Sequence, residues 1–204
     1  MHKNLLLFFV RWPEIGRVKS RLASSLGKKE ACRIHQLLSE VCFAQALGAS
    51  GISTIVCGTG ASEADFEAWL PNAAGYWLQP EVSLGERLES LFERAFDSGA
   101  QSVTAIGSDA PTLDSASIST AIQLIGKSDV SILPATDGGY VLIGSSRKLP
   151  VIFRHISWGT STVLSETLAV CKTNHLSVSV GAHFPDVDVE ADWLSVLNQL
   201  PKLQ

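Results

Sequence analysis

Short apolar runs alternate along this chain with longer stretches whose apolar positions recur every three or four residues. Leu5 to Val10 is the first run. It holds no polar residue, which suits a strand covered on both faces. Lys28 to Leu47 follows with Ala31, Ile34, Leu38, Val41 and Leu47 at helical spacing, and Gly48 can end that helix. Ile52–Cys57 reads as a second strand. Ser62–Leu70 reads as a short helix capped by Ser62 and stopped before Pro71. The same periods predict strands at Tyr76–Leu78, Val103–Ile106, Val130–Leu133, Tyr140–Ile143 and Leu176–Val180. They predict helices at Leu84–Phe96, Ser115–Ile125, Ser161–Cys171 and Asp192–Leu200. Strand–helix alternation of this kind predicts an α/β layered fold with a mostly parallel mixed sheet flanked by helices. No internal repeat or low-complexity linker interrupts it, so residues 1–204 read as one domain.

Composition narrows the function classes. Of the 204 residues 46% are hydrophobic and 18% charged, enough apolar side chain for a sizeable core. The formal net charge of -4 argues against a general nucleic-acid binder, which would be basic. A small anionic substrate needs only a local basic cluster. The N-terminal "NLLLFFV" is too short to span a membrane, and Arg11 with Trp12-Pro13 follows it in place of a small-residue cleavage site. Cys32, Cys42, Cys57 and Cys171 form no C-x-x-C pair, so a reduced, cytoplasmic compartment is expected.

Ligands of such sheets bind beyond the carboxyl ends of strands, so segments just after strands matter most. "RWPEIGRVKSRLASSLG" after the first strand gathers Arg11, Arg17, Lys19 and Arg21. It reads either as a solvated loop, in which Lys19 contributes little to folding, or as a phosphate cradle. "GSDAPTL" follows the Val103–Ile106 strand. Its Asp109 suits a turn closed by Pro111, and equally a carboxylate that holds a cation, with Ser108 beside it. "FPDVDVEADW" places Asp186 and Asp188 on one side of an extended segment. They could flank Mg²⁺ or Mn²⁺, or cap the last helix. "PATDGGY" reads as a hairpin turn or a close backbone approach to a ligand. In "SLGERL", Ser83 and Glu86 form a capping box and leave Arg87 free to reach an anion.

Several chemistries lack support. Gly58-Thr59-Gly60 follows a strand, but Glu63 stands where a dinucleotide fingerprint needs its third glycine. There is no phosphate-binding G-x-x-x-x-G-K-[ST] loop and no G-x-S-x-G elbow. His2, His35, His155, His175 and His183 have no metal-ligand spacing, and His35 reads as a structural or surface residue of its helix.

Six segments in one order carry a resemblance: "GRVKSRLASSLG", "SLGERL", "IGSDAPTL", "LPATDGGYVLIG", "ISWGTSTV" and "DVDVEADW". The chain resembles the DUF2064 family of glycosyltransferase-like proteins in the nucleotide-diphospho-sugar transferase superfamily, which has the GT-A fold. Ser20, Ala110 and Gly159 depart from the usual K-T-R-L, S-D-C-P and W-S-T patterns. The resemblance implies a single Rossmann-like GT-A domain and a divalent cation, Mg²⁺ or Mn²⁺, at Asp109 and Asp188 with Asp186 as a further candidate. It implies Arg17, Lys19 and Arg21 over the nucleotide phosphates, and sugar or acceptor contacts at Asp137, Gly138, Gly139, Tyr140 and Trp158. Arg11, Arg87 and Ser108 complete the expected phosphate contacts. Asp137 and Lys19 are the expected catalytic side chains. Three functions fit: glycosyl transfer from a nucleotide sugar to a small-molecule acceptor, nucleotidyl transfer from an NTP to a phosphorylated acceptor, and nucleotide binding without catalysis. None involves nucleic acid or a membrane span, and the sequence leaves the oligomeric state open.

Overall fold

β1 (Asn4–Arg11) pairs in parallel with two neighbours, and its Leu7 lies between Ile55 and Ala105. The computed structural model describes residues 4–199. Around β1 stand β2 (Ser53–Thr59), β3 (Gly75–Leu78), β4 (Ser102–Ile106), β5 (Val130–Pro134), β6 (Tyr140–Ser145) and β7 (Val178–Val180). They form one sheet in the order β3-β2-β1-β4-β6-β5-β7. β6 runs antiparallel to both β4 and β5, while the other pairs are parallel. This is the expected mixed sheet.

The helices are α1 (Ser20–Leu26), α2 (Lys28–Gly48), α3 (Glu63–Trp69), α4 (Leu84–Asp97), α5 (Ser115–Ile125), α6 (Val163–Thr173) and α7 (Glu190–Gln199). Alternate residues of the strands face opposite layers. Leu6, Phe8 and Val56 pack with Phe43 of α2, Phe66 of α3 and Ile118 of α5. Leu5, Leu7 and Ile55 pack with Leu88, Leu91 and Phe92 of α4 and with Cys171 of α6. Each such buried side chain contributes about 1.5–3 kcal/mol of transfer free energy. Double coverage is why β1 lacks the polar alternation of a half-exposed strand, and why Ser102 and Thr104 of β4 are buried although they alternate with Val103 and Ala105. A third cluster joins Leu22 of α1, Ile34 and Leu38 of α2, and Trp193 and Val196 of α7.

The differences from expectation are local. Ser20–Leu26 is a helix, not a loop, and its Leu22 is fully buried. The last helix starts at Glu190 because Asp192 sits one turn inside it, where its carboxylate receives the Asp188 and Val189 amides at 3.0 and 2.9 Å. Leu200 and His2 lie outside the described residues. No helix among the described residues is long and apolar enough to cross a membrane. All four cysteines are free and buried.

Candidate active site

The carboxyl ends of β1, β4 and β5 and the start of β6 open on one edge of the sheet. The antiparallel turn of β6 is what brings Tyr140 there. β4 ends at Ile106, and the chain turns through Gly107 to Asp109, with Leu113 N–H bonding to the Ala110 carbonyl at 3.0 Å. Phe184 continues the parallel pairing of β7 with β5 by bridging Ala135, and its N–H bonds to the Pro134 carbonyl at 2.9 Å. That lifts Asp186–Asp188 to the same edge. The Val187 N–H then bonds to the Asp109 carbonyl at 3.0 Å. One backbone bond thus ties two carboxylate-bearing segments that lie far apart in sequence.

Lys19 closes the arrangement. Its Nζ lies 3.2 Å from Asp109 Oδ2, 3.3 Å from Asp188 Oδ1 and 2.6 Å from the Val187 carbonyl oxygen. Arg21 Nη1 donates to the other oxygen of Asp188 at 3.1 Å. The Lys19 side chain is only 9% exposed, so it is not the solvated loop lysine that the local sequence suggests. Burial by itself draws its pKa down, but Asp109 and Asp188 outweigh that and hold it above the ordinary value, so it stays charged. The Asp188 carboxylate faces these cations and leaves capping to Asp192. Asp186 has no such counter-charge. Burial pushes its carboxyl up, Asp137, Asp109 and Asp188 add to the effect, and its pKa reaches about 6.

Two cavities meet at Asp109, Asp188 and Arg21. The first, about 330 Å³, is lined by Arg11, Arg17, Lys19, Arg21, Ser108 and His35 among others. His35 was expected to be structural or on the surface. It is buried, it lines this cavity, and its Nε2 lies 2.9 Å from the Arg11 carbonyl oxygen. Its phase one residue after Ile34 on α2 placed it near the buried side, which was the available signal.

The second cavity, about 460 Å³, is mostly apolar. Phe9, Leu84, Leu88, Tyr140, Trp158 and Val163 form much of its wall, while Asp137, Asp186 and Thr160 are among its polar groups. Tyr140 and Trp158 were among the expected sugar or acceptor residues, whereas Phe9, Leu84, Leu88 and Val163 had no sequence signal, since they also read as core. Tyr140 and Trp158 meet edge to face with centroids 6.1 Å apart. Gly85 in α4 leaves room for the Trp158 indole, because a Cβ there would lie 2.3 Å from its Nε1. Asp137 accepts the Gly139 N–H at 2.9 Å within the β5–β6 turn, so "PATDGGY" is a hairpin turn, and its Asp137, Gly139 and Tyr140 line the second cavity. Gly138 lies behind the wall, where its carbonyl accepts the Leu164 N–H at 3.0 Å. Arg87 is not brought to the site. Its Nε bonds to the Val82 carbonyl at 2.8 Å and its Nη1 to Gln79 at 3.4 Å, so it fastens the loop before α4 rather than reaching an anion.

The oxygen set around Lys19 Nζ tests whether a cation fits. An ammonium seated between two carboxylates and a carbonyl occupies a hard-oxygen environment of the kind that Mg²⁺ and Mn²⁺ take. Among the described residues, no group of three or more His, Cys, Asp or Glu side chains is gathered so as to hold a metal by itself. Two carboxylates completed by substrate phosphate oxygens is the usual arrangement for Mg²⁺, so the residues fit a cation that arrives with a nucleotide.

This sheet order and a cleft at its carboxyl edge define the fold class of nucleotide-diphospho-sugar transferases and nucleotidyltransferases. The chain belongs to the DUF2064 family, described as uncharacterized protein conserved in bacteria, whose profile matches residues 42–160. It is similar to a provisionally assigned nucleotide-diphospho-sugar transferase from Desulfovibrio desulfuricans G20. The identity is 30%, the TM-score 0.90, and the match covers 98% of this chain and 88% of that one. It shares its fold with a CMP:2-keto-3-deoxy-manno-octonic acid synthetase complexed with CTP, at 12% identity and TM-score 0.65, covering 99% and 100%. It also shares it with the Rv0371c protein of Mycobacterium tuberculosis H37Rv in complex with manganese, at 16% identity and TM-score 0.57, covering 97% and 99%. No curated protein matches the chain.

Proposed function

We propose that this transferase moves a glycosyl group from a nucleotide-diphospho-sugar to a small hydroxyl-bearing acceptor, with a divalent cation at Asp109 and Asp188. The observation that carries the reading is the meeting of a basic cavity and an apolar, acid-edged cavity at those two carboxylates. Arg11, Arg17 and Lys19 suit a diphosphate, for which forked and point-charge donors are both useful. Ser108 adds a hydroxyl at the same wall. When bound, the cation supplies charge stabilisation to the leaving diphosphate. Lys19 and Arg21 supply positive charge beside the position where that charge develops. Asp137 on the wall of the second cavity suits accepting a proton or hydrogen bond from an acceptor hydroxyl.

The second cavity favours a neutral acceptor. Trp158 Nε1 already donates to the Phe153 carbonyl at 3.4 Å, and Thr160 Oγ1 to the Ser157 carbonyl at 2.7 Å. Asp137 and Asp186 are left as acceptors, and a phosphorylated group beside them would meet like charge. Nucleotidyl transfer remains the second reading, because Lys19 and Arg21 at the junction also suit an attacked α-phosphate.

A panel of nucleotide-diphospho-sugars and NTPs with Mg²⁺ or Mn²⁺ tests both. Release of nucleoside diphosphate that depends on an added alcohol supports glycosyl transfer. Pyrophosphate release from an NTP that requires a phosphorylated acceptor replaces it with the second reading.

A further inference from the structure

Lys19 has three features that do not belong to an ordinary phosphate-binding lysine. Its ammonium is seated among three oxygens, between the two carboxylates that the cation would need. Its side chain is almost wholly buried. Its backbone is left-handed, at φ 46° and ψ 55°, a conformation that residues other than glycine, asparagine and aspartate rarely adopt. The backbone is fixed where α1 begins, with the Ala23 N–H bonding to the Lys19 carbonyl at 2.8 Å. A side chain held that tightly by tertiary contacts marks a place where the fold maintains a costly arrangement.

The charges around it balance. Asp109 and Asp188 face Lys19, and Arg21 pairs the remaining oxygen of Asp188. A divalent cation added to this seat would overlap the ammonium and be repelled by it. Lys19 also lines the basic cavity, so an ammonium that leaves the carboxylates has the diphosphate position beside it.

We infer that Lys19 is an exchangeable counter-ion: it holds the cation seat in the empty protein, yields it to the divalent cation, and passes to the nucleotide phosphates. This deepens the proposed function and rests on its reading of Asp109 and Asp188 as the cation's ligands. It makes Lys19 a positioning residue that couples the two ligands. The metal alone binds weakly because it must displace a charge. The diphosphate gives that charge a new partner, so each ligand favours the other.

Mn²⁺ binding followed by electron paramagnetic resonance tests the exchange without any turnover. Lys19→Met keeps the length of the side chain and removes the charge. It should bind Mn²⁺ alone about tenfold or more tightly than the native protein, the factor expected when a charge-assisted competitor is removed. Inorganic pyrophosphate should then raise Mn²⁺ affinity less in the variant than in the native protein. Asp109→Asn locates the signal, since it should lose Mn²⁺ in either background.

A second measurement uses the native chain, in case the variant fails to fold. Amine acetylation read by mass spectrometry should find Lys19 protected in the empty protein, reactive with Mn²⁺ alone, and protected again with Mn²⁺ and pyrophosphate. Lys28, Lys127 and Lys172 serve as internal references. If Mn²⁺ binds in an Asp109-dependent way while Lys19 stays protected, or if Lys19→Met gains no affinity, the exchange is overturned and the metal site stands. If no Asp109-dependent Mn²⁺ binding occurs with or without pyrophosphate, the metal site and the exchange fall together.

Discussion

Lys19 shows how one side chain can be misread from its neighbours in sequence. Glycine, serine and arginine around it suggest solvent, yet its ammonium has three oxygen partners and little exposure. Lys19→Met should therefore cost stability, unlike a solvated lysine. Loss of a charge-assisted contact and exposure of Asp109 to Asp188 with Arg21 as the remaining counter-charge should total about 1–3 kcal/mol. A thermal melt in metal-free buffer checks this, and an unchanged Tm would return Lys19 to the solvated class. His35 makes a second prediction at this scale. Burial holds its pKa below the ordinary 6.5, against the raising effect of the Arg11 carbonyl and helped by the Lys19 charge. As pH falls, the unfolded chain takes up the proton first. The group's contribution to stability is complete above 6.5 and is lost as pH falls from there toward the lower folded value. His35→Gln should lose less Tm than the native protein between about pH 7 and pH 5, and parallel curves would refute the assignment.

At the scale of elements, the turn between β5 and β6 makes a steric demand of backbone on backbone. Gly138 has φ +95°, and a Cβ there would lie 2.2 Å from the Ser161 backbone oxygen. Gly99 has the same φ of +95° with nothing within 4 Å of its Cβ position. The pair separates strain from collision. Gly99→Ala should cost about 1 kcal/mol, the penalty of a left-handed backbone. Gly138→Ala should cost at least about 2 kcal/mol more, lower the Tm by a further 4 °C or so, and disturb the segment that carries Trp158. Equal losses in the two variants would show that the turn does not press on that segment. The elements themselves were legible to unequal degrees. The capping box at Ser83 and Glu86 forms as the S-x-x-E spacing predicts, with Glu86 N–H reaching Ser83 Oγ at 3.4 Å and Ser83 N–H reaching Glu86 Oε2 at 3.0 Å. α1 was missed because it has only seven residues, three of them serine, and Leu22 and Leu26 by themselves are too few to set a period; packing of Leu22, Ala23 and Leu26 in the cluster shared with α2 and α7 stabilises it.

For the whole molecule, the prediction concerns coupling between ligands at the junction of the two cavities. Nucleoside diphosphate alone and Mn²⁺ alone should each raise the Tm slightly, and the two together by more than the sum, with a coupling of about 1–3 kcal/mol. Asp109→Asn keeps the shape and loses the charge, so it should remove most of the excess. Additive shifts in the native protein would leave "GSDAPTL" as a turn and nothing more. The sequence by itself determined the layered α/β fold, because the periods of Leu5–Val10, Lys28–Leu47 and Leu84–Phe96 report which faces are buried. It also marked "GSDAP" and "DVDVEADW" as carboxylate-bearing segments, since the first follows an apolar run, the second alternates its aspartates on one side, and both resemble a family pattern. Only the tertiary structure decided the rest. Strand order is set by long-range pairing, so nothing local says that β6 enters antiparallel between β4 and β5 and carries Tyr140 to the site edge. Whether Asp188 caps a helix or faces a cation depended on Asp192 taking the amides. Which residue stands between Asp109 and Asp188 depended on a lysine drawn from the other end of the chain, where charge balance in a buried space, not spacing in sequence, selects the partner.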